Sequence, residues 1–173
     1  MGTVDVTVRG IIAAPRARVA SFAGDPSNAP AWYSNIRSVR WHGEDRSVRV
    51  GALLDFVARF LGRELSYTYE IVELVPDRRL VMRTASGPFP METTYEWWDE
   101  GEDTGMSLRN HGAPRGFASL GSGAMSVAMR RAMTQDLRRL DEVLRGETGA
   151  GLRDAPAARA ASAARSSHRG TSP

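Results

Sequence analysis

The stretch LSYTYEIVELVPDRRLVMRTASGPFPMETTYEWW, residues 65–98, decides the fold. Leu65, Tyr67, Tyr69 and Ile71 alternate with Ser66, Thr68 and Glu70, the period of two expected of a half-buried strand, whose successive side chains leave opposite faces. Val75-Pro76-Asp77 interrupts that run as a turn, and residues 79–86 return as a second strand. Gly87-Pro88 makes the next turn, after which Phe89, Met91, Thr93, Tyr95 and Trp97 alternate with Pro90, Glu92, Thr94 and Glu96. Three consecutive strands on tight connections predict an antiparallel meander, and their aromatic parity predicts a wall facing an interior.

Working outward, residues 3–12 alternate with Val4, Val6 and Val8 on one side, a further half-buried strand. Pro15 then stands where a first helical turn tolerates proline, Val19 and Phe22 lie one helical step apart, and Gly24 ends the segment. A second short helix is predicted over 25–33, with Asp25 as N-cap and Pro26 in the first turn. Residues 36–41 alternate again, and a polar turn follows at 43–49. In LLDFVARFLG, Leu54, Phe56, Ala58 and Phe60 share one parity and Asp55 and Arg59 the other. The acidic turn GEDTG leads to a last strand over 106–111, with Met106, Leu108 and Asn110 on one face. From 122 to 145 the period changes: Met125, Met129, Met133, Leu137, Leu140 and Leu144 recur at steps of three and four, the stripe of a long amphipathic helix laid on the sheet. The expected fold is therefore α+β, seven antiparallel strands curling on themselves with two short helices and one long one.

The 173 residues fit one domain, residues 1–145, and a tail, 146–173, rich in Ala, Arg, Ser and Gly with little to bury and read as disordered. The chain lacks cysteine, which excludes disulfides and thiolate sites and suits a reducing, cytoplasmic setting. No apolar run has the length of a signal peptide core or a membrane span. The net charge of +3 is deceptive, because four arginines against two acids after Gly146 contribute +2 of it. A nearly neutral body makes a poor polyanion binder, so nucleic acid is not an expected partner. His42, His111 and His168 are too dispersed for metal-ligand spacing, and neither a metal nor another cofactor is expected. Walker, GxGxxG and GxSxG motifs are absent, and GSGAM at 121–125 reads as a flexible start of the long helix at a cavity mouth.

The chain resembles the START-like, Bet v 1-like (SRPBCC) superfamily, and within it the bacterial polyketide cyclase/dehydrase branch. The residues that carry the resemblance are IAAP at 12–15, Asp25-Pro26, YTYEIVELVP at 67–76, SGPF at 86–89 and TGMSLRNHG at 104–112, ahead of the long helix. It implies the helix-grip fold, with a mostly apolar cavity between curved sheet and helix that takes lipids, sterols, polyketides or hormone-like molecules. Set beside the family's aromatic polyketide cyclases, this chain has Ile36 where a cavity tyrosine is found and Ile71 where an arginine is found. It retains a second arginine as Arg83 and a polar amide as Asn110.

Two functions follow as expectations. The first is binding of a hydrophobic or aromatic small molecule by a monomer or homodimer. Its expected wall comprises Phe56, Ala58, Phe60, Tyr67, Tyr69 and Ile71, then Arg83, Met91, Thr93, Tyr95, Leu108 and Asn110, with Met125, Met129 and Met133 from the helix. The second is a cyclase, aromatase or dehydratase reaction in the same cavity, with Arg83, Asn110 and Tyr69 polarising a carbonyl. The parity of Arg83 is ambiguous, since Val81-Arg83-Ala85 and Leu80-Met82-Thr84 are both plausible inward faces. A third possibility, a chaperone-like interaction module, calls for a filled interior and a large exposed apolar patch.

Overall fold

A computed structural model describes residues 3–113 and 121–153, and side chains within 3–113 and 123–146. Strand β1 (Val4–Ile12) leads into helix α1 (Arg16–Ala23), a 3-10 turn (Pro26–Asn28) and helix α2 (Ala29–Trp32). Six strands follow: β2 (Ile36–Trp41), β3 (Leu53–Phe60), β4 (Arg63–Val75), β5 (Arg79–Ser86), β6 (Met91–Glu100) and β7 (Asp103–Gly112). Helix α3 (Gly121–Arg153) ends the described chain. The seven strands form one antiparallel sheet in the order β1-β7-β6-β5-β4-β3-β2. The two short helices carry the chain from one edge, β1, to the other, β2, and the meander then returns strand by strand until β7 pairs with β1. A long helix held across a curled antiparallel sheet is the helix-grip arrangement.

The segment expected as one helix over 25–33 is divided. Asp25 Oδ1 accepts from Ser27 N at 2.8 Å and caps the 3-10 turn, and a separate α-helical turn starts at Ala29. Pro30 has no N–H to give to the preceding turn, which is the physical reason for the break. Helix α3 continues past Arg145, where the hydrophobic periodicity ends, to Arg153; the remainder of the expected tail, 154–173, lies outside the described residues.

The two halves of α3 meet the sheet differently. Leu137, Leu140 and Leu144 are buried against β1 and the helices that follow it, and Gly10 on β1 lets Leu137 approach to 3.4 Å of where a Cβ would stand. Polar tethers hold this half in place. Ala13 N donates to Asp141 Oδ1 at 2.8 Å, Arg139 Nε to the Ala31 carbonyl at 2.9 Å, and Arg18 Nη2 to the Leu144 carbonyl at 3.1 Å. Thr104 Oγ1 donates to the Ala14 carbonyl at 2.6 Å, pinning the start of the crossover to β7. The methionine half of α3 stands over the aromatic wall of β3, β4 and β6.

Leu140 is fully buried. Replacing it with Ala removes a core side chain at a site held on several sides, so Leu140→Ala is expected to lower the unfolding free energy in urea by about 2–5 kcal/mol.

Candidate functional site

The sheet's inward face is read most easily as cross-strand rows. Phe56 on β3 lies opposite Tyr67 on β4, and Tyr69 opposite Leu54. Farther along, Met82 on β5, Thr93 on β6 and Asn110 on β7 stand in one row. These side chains, with Met125, Met129 and Met133 of α3, surround a hollow of about 110 Å³. That is room for about four waters, or for a compact ring system.

Two aromatic groups build its walls. Phe56 and Tyr67 stack with centroids 5.4 Å apart and planes 4° from parallel, and Tyr69 meets Tyr67 edge-on at 4.9 Å. On the other side Trp32 and Tyr33 of the α2 segment lie 4.0 Å apart, and Tyr95 is 5.9 Å from both Trp32 and Trp97. Gly87, at φ +137°, holds the turn after β5 against Tyr67, where a Cβ would stand 2.7 Å from the tyrosine's own. Glycine is therefore required there on both conformational and steric grounds.

The polar groups of the wall are organised by their hydrogens. Thr93 Oγ1 donates to Asn110 Oδ1 at 2.7 Å, which commits its only hydrogen. At 3.0 Å from the same oxygen, the Tyr69 hydroxyl must then be the donor, and its own lone pairs remain available. Tyr33 and Tyr95 share a hydroxyl–hydroxyl bond of 2.7 Å. Burial pushes the Tyr69 phenol up to about 12 and raises those of Tyr33, Tyr67 and Tyr95 as well, so all four are neutral hydroxyls. Asp136, on the inner face of α3, is 1% exposed; its Oδ1 accepts from both Ser34 N and Ser34 Oγ at 2.8 Å. Burial raises its pKa above the ordinary carboxylate value, and the Ser34 bonds and the Arg139 charge only partly offset that rise.

The structure brings Phe56, Ala58, Phe60, Tyr67, Tyr69, Met91, Thr93, Tyr95, Asn110, Met125, Met129 and Met133 to the hollow. Three expected wall residues stand elsewhere. Arg83 points outward, opposite Glu92, and its guanidinium binds that carboxylate at 2.7 Å and 3.2 Å. Met82 takes the inward parity of β5; Val81 is apolar yet outward, beside Thr94 and between the ion pairs Arg79–Glu96 and Arg83–Glu92, and this made the parity ambiguous. A carbonyl-polarising role for Arg83 in the hollow is thereby corrected. Ile71 has inward parity, but it is fully buried beyond the end of the hollow, where its backbone bonds to Gly51 and Ala52. Leu108 is fully buried opposite Tyr95 and Val8, in the part of the interior that the leucine half of α3 fills.

Sequence reasoning also missed lining residues. Asp136 stands three residues after Met133 and four before Leu140, in step with the Met and Leu stripe, and it was passed over because a stripe traced through apolar residues alone skips an acid on the same face. Tyr33 and Asn35 sit in the irregular link after α2, where no periodicity assigns a direction, and Phe89 lies in the turn before β6. Met82 and Thr84 are the even parity of β5 left open above. Among the described residues no group of three or more metal-ligating side chains comes together, and no helix is long and apolar enough to cross a membrane.

A family model described as polyketide cyclase / dehydrase and lipid transport matches residues 3–145. A search of curated proteins gives no match. Among solved structures, a protein of Thermus thermophilus superposes with a TM-score of 0.70 at 20% identity, covering 83% of this chain and 99% of its own. The Zhui aromatase/cyclase from Streptomyces sp. R1128 gives a TM-score of 0.68 at 16% identity, over 89% and 98% of the two chains. A START superfamily protein from Mycobacterium smegmatis gives 0.67 at 13%, over 83% and 97%. Likeness at such identities establishes a shared fold.

The raised pKa of Asp136 has a consequence for stability. The native state holds this proton more tightly than the unfolded chain, so the contribution is fully present below the unfolded carboxyl's pKa and is lost as pH rises through the folded one. Urea titrations across that range are expected to show wild type losing stability relative to Asp136→Asn, which keeps an acceptor for Ser34 and cannot ionise.

Proposed function

Since the chain belongs to the polyketide cyclase / dehydrase and lipid transport family, we propose that it binds a compact hydrophobic or aromatic small molecule in the hollow between sheet and α3. The observation that carries this reading is the composition of the wall: stacked and edge-on aromatic rings face three flexible methionines, and a few hydroxyl and amide groups are aimed among them. Ring faces and thioethers bind carbon skeletons with little demand on shape, and sparse polar groups fix orientation. The hollow's small volume favours a compact ring system over a long acyl chain. The large exposed apolar residues Ile11, Val50, Leu61, Val75 and Val127 are dispersed over separate segments, which favours a cavity ligand over a chaperone-like apolar surface. Cytoplasmic action belongs to the same proposal, on the strength of the cysteine-free sequence.

A second reading, turnover of a polyketide-like substrate, is favoured by one observation. Asp136 is a buried carboxyl with a raised pKa beside neutral phenols, and a carboxyl tuned in that direction suits proton transfer at an enolisable carbon. In this reading Asp136 moves the proton, and the Tyr95 and Tyr69 hydroxyls are available to orient the carbonyl. Incubation with a poly-β-ketone thioester mimic, followed by mass spectrometry of cyclised or dehydrated products, decides it: product that appears with wild type and not with Asp136→Asn supports turnover.

Ala132 lines the hollow from α3, so Ala132→Phe is expected to fill it. Thermal-shift and calorimetric titration with naphthalene-sized aromatics should show binding to wild type and a loss of about tenfold or more in Ala132→Phe. Arg83→Ala, changed on the outer face, should bind as wild type does. Equal binding by wild type and Ala132→Phe would show that the ligand sits elsewhere.

A further inference from the structure

The charges around the hollow are distributed one-sidedly. Every cationic side chain of the protein is arginine apart from its three histidines, and none of either type is among the described residues lining the hollow. The ionisable groups that do line it are four neutral phenols and a single carboxyl, Asp136. That carboxyl has no ion-pair partner among the described residues: Ser34 supplies both bonds to Oδ1, and Oδ2 receives none. Asn35, next along the chain, also lines the hollow, and its Oδ1 is buried without a partner. The Tyr69 oxygen, having donated to Thr93, likewise offers lone pairs. The lining thus offers these acceptors beside neutral donors, the amide groups of Asn35 and Asn110 and the Tyr67 hydroxyl, and carries no positive charge among the described residues.

We propose that the hollow selects an apolar ligand whose polar end donates hydrogen bonds, a hydroxyl or a protonated amine, and turns away carboxylates. The inference rests on the ligand-binding reading above and narrows its ligand class. A ligand carboxylate would enter a desolvated space with no cation to pair with, and whether Asp136 is charged or neutral the uncompensated burial of that anion is costly. A hydroxyl can donate to Asn35 Oδ1 or the Tyr69 oxygen in either state, and to Asp136 Oδ2 when that carboxyl is charged. An ammonium finds in Asp136 its counter-charge, within a wall whose ring faces also attract cations.

The test is a head-group series on one scaffold, titrated calorimetrically into the full chain at neutral pH: 2-naphthol, 2-naphthylmethylamine, 2-naphthoate and 2-methylnaphthalene. The expected result is that the naphthol and the amine each bind about tenfold or more tighter than the naphthoate. In Asp136→Asn the amine should lose about tenfold while the naphthol stays within about threefold of wild type. Naphthoate binding as tightly as naphthol overturns the selection. A flat series, in which methylnaphthalene binds as well as the rest, also overturns it and leaves the ligand-binding reading standing. Failure of all four to bind overturns that reading itself. An amine affinity unchanged in Asp136→Asn removes Asp136 from the assignment, and if that variant does not fold, the wild-type series alone decides the head-group selection.

Discussion

A single straight helix cannot fill the whole concave face of a curled seven-stranded sheet, and the rest of this molecule follows from how α3 resolves that mismatch. Its C-terminal half is drawn close. Leu137, Leu140 and Leu144 bury themselves against β1 and the segments after it, and Asp141, Arg139 and the Leu144 carbonyl tie the helix to the chain between β1 and β2. With one half fixed, the other half stands over β3, β4 and β6 at a distance that Met125, Met129 and Met133 do not close. The hollow is the geometric remainder of a helix anchored at one end. An interior position near the anchor, such as Leu108, is solid core, and positions toward the methionines are wall.

This division explains what could be read from the sequence and what could not. Period-two alternation is a local property of strands, so strand existence, direction and most inward residues were legible, above all in residues 65–98. The depth of a residue along the cavity axis is not local. Leu108 and Asn110 share a parity on β7, yet one is packed under Tyr95 and the other lines the hollow, because α3 approaches the sheet at one and not at the other. The parity of β5 failed for a different reason: Val81 is an apolar residue on the outer face, shielded among ion pairs, so hydrophobicity no longer marked the inside. Asn35 escaped notice because an irregular link carries no periodic signature, and Asp136 because it keeps the helical period of the stripe while lacking the hydrophobicity by which the stripe was traced.

The same partition organises the electrostatics. On the outer face arginines meet acids across neighbouring strands, Arg83 with Glu92, Arg79 with Glu96 and Arg109 with Asp5, in water where each pair is worth little. Inside, the polar groups are hydroxyls, amides and one carboxyl. The turn of Arg83 from inner to outer face therefore does more than remove one side chain from a proposed mechanism; it leaves the interior without positive charge among the described residues. The chemistry open to the cavity is that of neutral donors and acceptors around an acid held by Ser34.

One pair of residues links this interior to an optical signal. Trp32 and Trp97 are buried with indole N–H groups that have no acceptor among the described residues, and both pack against the Tyr33–Tyr95 pair that forms one side of the hollow. Buried indoles emit at the short-wavelength end of the tryptophan range, whereas Trp41 and Trp98, which are half-buried and hydrogen-bond to Ser27 and Glu100, emit further to the red. The molecule consequently carries its own spectrally separated probes, one set seated behind the wall that a guest would press and the other facing solvent.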